Sequence, residues 1–268
     1  MENFLCVTCG TEYAATEEPP GHCTICEDER QYVGFEGQRW TTLAELRRGH
    51  RNEFIALEKE LAALMTAPAF AIGQRALLVE SPGGNILWDC VALLDEATVS
   101  FLRGLGGIAA IAISHPHYYT TMVEWSRAFG APIYLHAADA AWVMRPDAAI
   151  RYWEGETLPL HDGLTLIRGG GHFDGGTMLY WPAGAEGKGA LLSGDIIQVV
   201  FDRRRVSFMY SYPNLIPLGA EAVRRLAAAV APFRFERIYG AFHPRQVMED
   251  GEGVVRRSVD RYLRAISV

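Results

Sequence analysis

Apolar and polar positions along this chain change period several times, and each change marks an element. Thr42-Leu-Ala-Glu45 has the spacing of a capping box and opens a short amphipathic helix to about Arg48. Phe54 to Leu64 has helical spacing but runs into Pro68 and strand-like segments, so its type stays open. From about Gln74 the pattern becomes short apolar runs with punctuation: Ala76–Val79, the turn Ser81-Pro-Gly-Gly84, then Ile86–Trp88, a predicted hairpin. A helix over 96–104, a buried strand over 108–113, a helix over 121–129, a strand over 132–135 and a helix over 137–143 follow. The second half predicts strands around Leu158 and over 164–167, 178–181 and 190–192, a helix over 221–230, a strand over 237–239 and a helix over 252–266. Strand-rich halves, each flanked by helices, predict an α/β chain built as a four-layer αββα sandwich.

Composition narrows the partners. The 268 residues are 49% apolar and 21% charged, an ordinary globular balance, and 25 Lys+Arg against 32 Asp+Glu leave a net charge of −7. No diffuse positive field favours nucleic acid or an anionic membrane, and no apolar run approaches the ~18 residues of a membrane span. The expectation is a soluble, cytoplasmic protein acting on a small molecule, with a homodimer left open. The triplet Arg203-Arg204-Arg205 after Asp202 reads as a solvated hairpin tip, and Trp153 and Trp181 read as core.

Cysteine placement divides the chain. Four of the five cysteines form two CxxC pairs, Cys6/Cys9 and Cys23/Cys26, separated by 13 residues. Paired knuckles of this kind point four thiolates at one ion about 2.3 Å away, and Gly10 and Pro19-Pro20-Gly21 supply their turns. The reading is a structural zinc ribbon; a rubredoxin-like iron site and redox-active dithiols are the alternatives. His22 reads as a solvated neighbour and Cys90, alone in an apolar stretch, as a small buried hydrophobe. Domains are thus expected at 1–35 (ribbon), 36–52 (linker helix) and 53–268.

Imidazoles collect where predicted strands end: Ser114-His115-Pro116-His117 after one, Gly169-Gly-Gly-His172-Phe-Asp174-Gly-Gly176 after a second, Leu192-Ser-Gly-Asp195 after a third and Ala241-Phe-His243-Pro244 after a fourth. Any one of these is an ordinary loop residue. Together they are what Zn²⁺, Fe²⁺ or Mn²⁺ prefers. In order and spacing, with Asp89 in Leu87-Trp-Asp89-Cys, they resemble the metallo-β-lactamase fold superfamily, glyoxalase II-like hydrolases included, over roughly residues 50–268. The resemblance implies an αββα sandwich with a metal site at one edge, His115, His117 and His172 as ligands, Asp195 as the bridging carboxylate, His243 as the last ligand and Asp89 as a hydrogen-bonding support.

The chain departs from that pattern where Tyr119 and Thr120 stand in place of the Asp and His that hold a second ion in dinuclear members. One zinc or iron ion is therefore expected, at His115, His117, His172 and Asp195, with His243 a ligand or a base. Asp174 is a candidate replacement base, and Tyr118 and Tyr119 are candidate phenolic donors to a developing oxyanion. The aromatic stretch Phe208 to Asn214 reads either as a substrate wall or as an edge strand. These residues point to a mononuclear hydrolase of a small ester, thioester, lactone or amide. The alternatives are a mononuclear iron oxidoreductase resembling persulfide dioxygenases and a metal-binding module without catalysis.

Overall fold

The computed structural model describes residues 1–267. By contact density the chain divides into two compact units: Met1–Leu135 with Ala140–Tyr152, and His136–Asp139 with the chain from Trp153 onward.

The first unit begins with β1 (Phe4–Cys6), the one-turn helix α1 (Thr24–Glu27) and β2 (Trp40–Thr42). β1 and β2 pair antiparallel, Cys6 opposite Trp40. Residues 40–42, inside the expected linker, thus form a ladder with the first cysteine knuckle. Helix α2 (Leu43–Gly49) follows, its first turn capped by the Thr42 hydroxyl, which accepts from the Glu45 amide at 3.2 Å. Leu5, Leu46, Ala92 and Leu93 share one apolar cluster, which joins this segment to the turn after the central strands.

A seven-stranded sheet carries the rest in chain order: β3 (Arg51–Glu58), β4 (Leu61–Ala67), β5 (Ala76–Val79), β6 (Ile86–Trp88), β7 (Ala110–Ala112), β8 (Ile133–His136) and β9 (Ile150–Trp153). The ambiguous stretch 54–64 is a hairpin turning at Lys59-Glu60, with Glu60 in the left-handed region (φ 67°). Leu61 and Ala63 point inward at period two, and Leu64 beside them gave the stretch its helical spacing. β5 and β6 pair antiparallel as predicted, whereas β6, β7 and β8 run parallel. The parallel pairs are bridged by α3 (Glu96–Gly104) and α4 (Met122–Phe129). The helix predicted over 137–143 is a 3-10 segment, Ala137–Trp142. Local side-chain bonds compete there with helical ones: the His136 Nδ1 accepts from the Ala138 amide (3.2 Å) and Asp139 accepts from Gly175 (2.8 Å). Strand β9 had no sequence signal, because Arg151 and Tyr152 face solvent between buried Ile150 and Trp153.

The second unit is built on a six-stranded sheet in the order β10 (Thr157–Pro159), β11 (Thr165–Arg168), β12 (Thr177–Trp181), β13 (Ala190–Gly194), β18 (Arg237–Gly240) and β19 (Gln246–Val247). Between β13 and β18 lie the one-strand-deep ladders β14 (Gln198–Val199) with β15 (Val206–Ser207) and β16 (Met209–Ser211) with β17 (Ile216–Pro217). The aromatic stretch is in part an edge ladder, with Phe208 fully buried. Helix α5 (Gly184–Gly187) is a single turn, and α6 (Ala220–Val230) and α7 (Gly251–Ile266) pack their apolar faces with the sheet. Met178, Leu191, Phe208, Leu226 and Ile238 are all fully buried in that cluster. Burial stabilises each such side chain by roughly 1.5–3 kcal/mol. Trp153 and Trp181 are core, as expected, and Asp202 to Arg205 form an exposed turn. Among the described residues, no helix is long and apolar enough to cross a membrane.

Candidate metal centres

Strand β1 delivers Cys6, and a tight turn returns the chain to it: the Gly10 amide donates to the Cys6 carbonyl (2.8 Å) and the Cys6 amide to the Thr11 carbonyl (3.0 Å). Gly10 holds φ 81°, a conformation that suits glycine. Cys23 precedes α1 and Cys26 sits on it, so both knuckles present buried sulfurs. The Sγ atoms of Cys6 and Cys26 are 3.5 Å apart, those of Cys9 and Cys23 3.6 Å, and all four lie within 4.8 Å of one another. Tetrahedral coordination at about 2.3 Å places sulfurs roughly 3.8 Å apart, so the four fit one ion. Gln38 Nε2 donates to Cys6 Sγ at 3.2 Å, a bond that favours thiolate. Neighbouring sulfurs draw Cys6 below the ordinary thiol range and burial lifts Cys9 above it, so the four do not titrate as separate thiols. Cys90 is buried and its thiol is pushed up by desolvation, and His22 is exposed against Glu27.

The second group is made of imidazoles. Asp89 follows β6 in the left-handed region (φ 61°) and accepts from the Ser114 amide at 2.8 Å, fixing the chain where β7 ends. Ser114 Oγ in turn lies 2.9 Å from His115 Nδ1. Asp89 therefore has the supporting place expected of it. Pro116 opens a 3-10 turn, Pro116–Tyr118, that brings the His117 ring to 5.1 Å from the His115 ring, centroid to centroid. The Tyr118 ring packs edge-on against His115 at 4.4 Å.

In the second unit His172 follows the Gly169-Gly170-Gly171 run and is buried. Its Nδ1 is 2.7 Å from the Tyr210 carbonyl oxygen. A carbonyl only accepts, so Nδ1 carries a proton and Nε2 is the nitrogen left to face an ion. His115, His117 and His172 each offer a nitrogen, and these atoms lie within 4.8 Å of one another. Three buried imidazoles, one of them hydrogen-bonded through Nδ1 to a carbonyl, suit zinc and also iron.

Asp195 is buried just past β13, and the Tyr212 hydroxyl donates to its backbone carbonyl at 2.6 Å. Burial pushes the Tyr212 phenol well above its ordinary range, so it remains a donor. Gly194 and Gly240 are in parallel register, and the Ala241 amide donates to the Gly194 carbonyl at 2.9 Å. Asp195 and the His243 turn therefore emerge from neighbouring strand ends. His243 is exposed, as is Asp174, whose carbonyl accepts from Arg168 Nε at 2.9 Å. Neither belongs to the three-histidine group, nor does Asp195. Among the described residues the cysteine and histidine groups are the two that meet this distance.

Tyr119 and Thr120 are both buried. Thr120 is held at φ 36°, and its carbonyl accepts from the Glu12 amide at 3.2 Å. Ser114, the Tyr210 carbonyl and the Glu12 contact carried no signal in the sequence, because hydroxyls, carbonyls and amides acquire their roles only through their partners.

No family model matches the chain. It is 52% identical over 269 residues, with 100% of this chain and 98% of the relative covered, to YmaE of Bacillus subtilis (strain 168), an uncharacterized protein. Among solved structures it is similar to the DIM-1 metallo-β-lactamase (TM-score 0.61, 13% identity, 81% of this chain and 99% of that one). The metallo-β-lactamase FIM-1 from Pseudomonas aeruginosa, in its mono-zinc form, gives TM-score 0.58 at 14% identity, over 81% and 97% of the two chains. TTHA1623 in a di-iron-bound form gives 0.51 at 23% identity, over 70% and 94%. At these identities the likeness is one of fold.

Proposed function

For a chain that belongs to one family with YmaE of Bacillus subtilis and has the metallo-β-lactamase fold, we propose a metal-dependent hydrolase acting on a small ester, thioester, lactone or amide through a single ion at His115, His117 and His172. The observation that carries this reading is the group of three buried imidazoles whose ligand atoms lie within 4.8 Å of one another. That FIM-1 has a mono-zinc form supports one ion on this fold. Zinc is the ion proposed for both sites.

An ion in such a donor set supplies Lewis acidity, making a water more acidic and polarising a carbonyl. The chain's own residues orient and move protons. The Tyr210 carbonyl keeps His172 in one tautomer, and Ser114 and the Tyr118 ring fix His115. Asp195 is the carboxylate that holds the attacking water, with its backbone pinned by Tyr212. His243, exposed beside it along the strand ends, exchanges the proton with solvent. Asp174, exposed in its turn, is the alternative to His243 for that step, and Tyr119 donates its phenol to the developing oxyanion.

The test is metal content by mass spectrometry on wild type, Cys6→Ser/Cys9→Ser and His115→Ala/His172→Ala, followed by a panel of esters, thioesters, lactones and amides. The histidine variant loses one zinc equivalent and all hydrolysis. Loss of two equivalents overturns the single-ion reading, and loss of none overturns the site. One iron equivalent with oxygen consumption on thiol substrates would replace hydrolysis by dioxygenase chemistry.

A further inference from the structure

The cysteine knuckle is tied to the turn that carries His115 and His117. Gly10, next to Cys9, leaves little room: a Cβ there would stand 3.1 Å from Ala71 Cβ and 3.5 Å from Thr120 Cγ2. Two residues on, the Glu12 amide donates to the Thr120 carbonyl. The Glu12 carboxylate is paired with Arg145, and both side chains are almost wholly buried. Arg145 also reaches Glu124, in the first turn of α4, at 2.7 Å. The Ala14 amide donates to the Met144 carbonyl at 3.1 Å, and Trp142 packs on the cysteine cluster itself. Residues 9–14 thus grip the chain just after His117 from one side and the 142–145 segment from the other.

We propose that an ion in the cysteine site strengthens metal binding at the histidine site, with Glu12 and Arg145 as the positioning residues that transmit the effect. The inference rests on the reading of His115, His117 and His172 as a metal site. The physical reason lies in how the knuckle is held together. Its strands are three residues long and its buried cluster is the four cysteines and Ile25, with Tyr13, Trp40 and Trp142 packed against it, so an ion joining the four sulfurs tightens the segment that carries Glu12. Without that order the Glu12 amide and carboxylate are no longer held. Thr120, in a backbone region costly for a β-branched residue, then loses the bond that fixes it three residues after His117. The ligand pair must then be ordered at the expense of binding its own ion, which is a coupling free energy between two sites.

Cobalt(II) is the probe, because thiolate and imidazole sites give it separable visible absorption. In the full-length protein, Cys9→Ser/Cys23→Ser abolishes the thiolate bands and weakens cobalt binding at the histidine site by about tenfold or more. Arg145→Lys keeps the charge but not the fork that reaches Glu12 and Glu124 together. It leaves the thiolate bands intact and weakens the histidine site by at least about fivefold. Asp95→Ala, which removes the cap of α3 and touches neither site, serves as the control for general destabilisation and leaves cobalt affinity unchanged. An unchanged histidine-site affinity in Arg145→Lys, or an equal loss in Asp95→Ala, overturns the coupling alone; should the cysteine variant fail to fold, Arg145→Lys decides. A wild type without imidazole-bound cobalt overturns the hydrolase reading and the coupling with it.

Discussion

Single residues here do work that neither their type nor their neighbours reveal. Asp89 accepts from the buried Ser114 amide and so fixes the start of the His115 turn. Asp89→Ala leaves that amide without its acceptor and is expected to cost about 1–3 kcal/mol, read as a lower denaturant midpoint, while Asp89→Asn keeps an acceptor oxygen and loses less. Glu12 makes a pH prediction. Burial lifts its carboxyl from an ordinary 4.5 to about 7, against the opposing pull of Arg145. A raised folded value means that the folded chain holds the proton more firmly than the unfolded one. The linked stability is present below about pH 4.5 and is lost as pH rises through about 7, amounting to roughly 3 kcal/mol at full titration. Melting temperature should therefore fall between about pH 5 and 8 in the wild type and fall less in Glu12→Gln, which does not titrate. Parallel profiles for the two proteins would count against this account.

At the scale of elements, caps and turns set the boundaries that periodicity left loose. Helix α3 starts where Asp95 Oδ1 accepts from the Thr98 amide at 2.7 Å. Asp95→Ala should cost about 1 kcal/mol in chemical denaturation. The hairpin β3–β4 and the segment 137–142 show why pattern misleads. In the first, Leu61 and Leu64 mimic a helical face although the strand alternates. In the second, an alanine-rich sequence with high helix propensity yields to His136 and Asp139, whose side chains bind backbone amides. Strand ends, by contrast, were legible. Isoleucine-rich and leucine-rich runs broken by Gly, Ser or Pro leave few other readings, and β7, β11 and β13 end three, four and one residues before His115, His172 and Asp195 respectively.

Over the whole molecule, packing carries the stability. Phe208, fully buried in the cluster that joins α6, α7 and the second sheet, should cost about 3–5 kcal/mol when changed to Ala, seen as a loss of melting temperature. With metal bound at the two proposed sites, a chelator should lower the melting temperature of the wild type, and less so in Cys6→Ser/Cys9→Ser, which lacks two of the four sulfurs. The sequence by itself determined much here. The CxxC pairs named the four sulfurs that the fold gathers, and the order of histidines and aspartates at strand ends announced the metallo-β-lactamase fold and the three imidazoles that are grouped. Both signals survive because a ligand's identity and spacing are local properties. Tertiary structure alone decided that His172 is oriented by a carbonyl 38 residues away and that Glu12 meets Arg145 across 133 residues. Such partners meet only once sheets and turns have formed, and a carbonyl or a buried ion pair leaves no periodic trace along the chain.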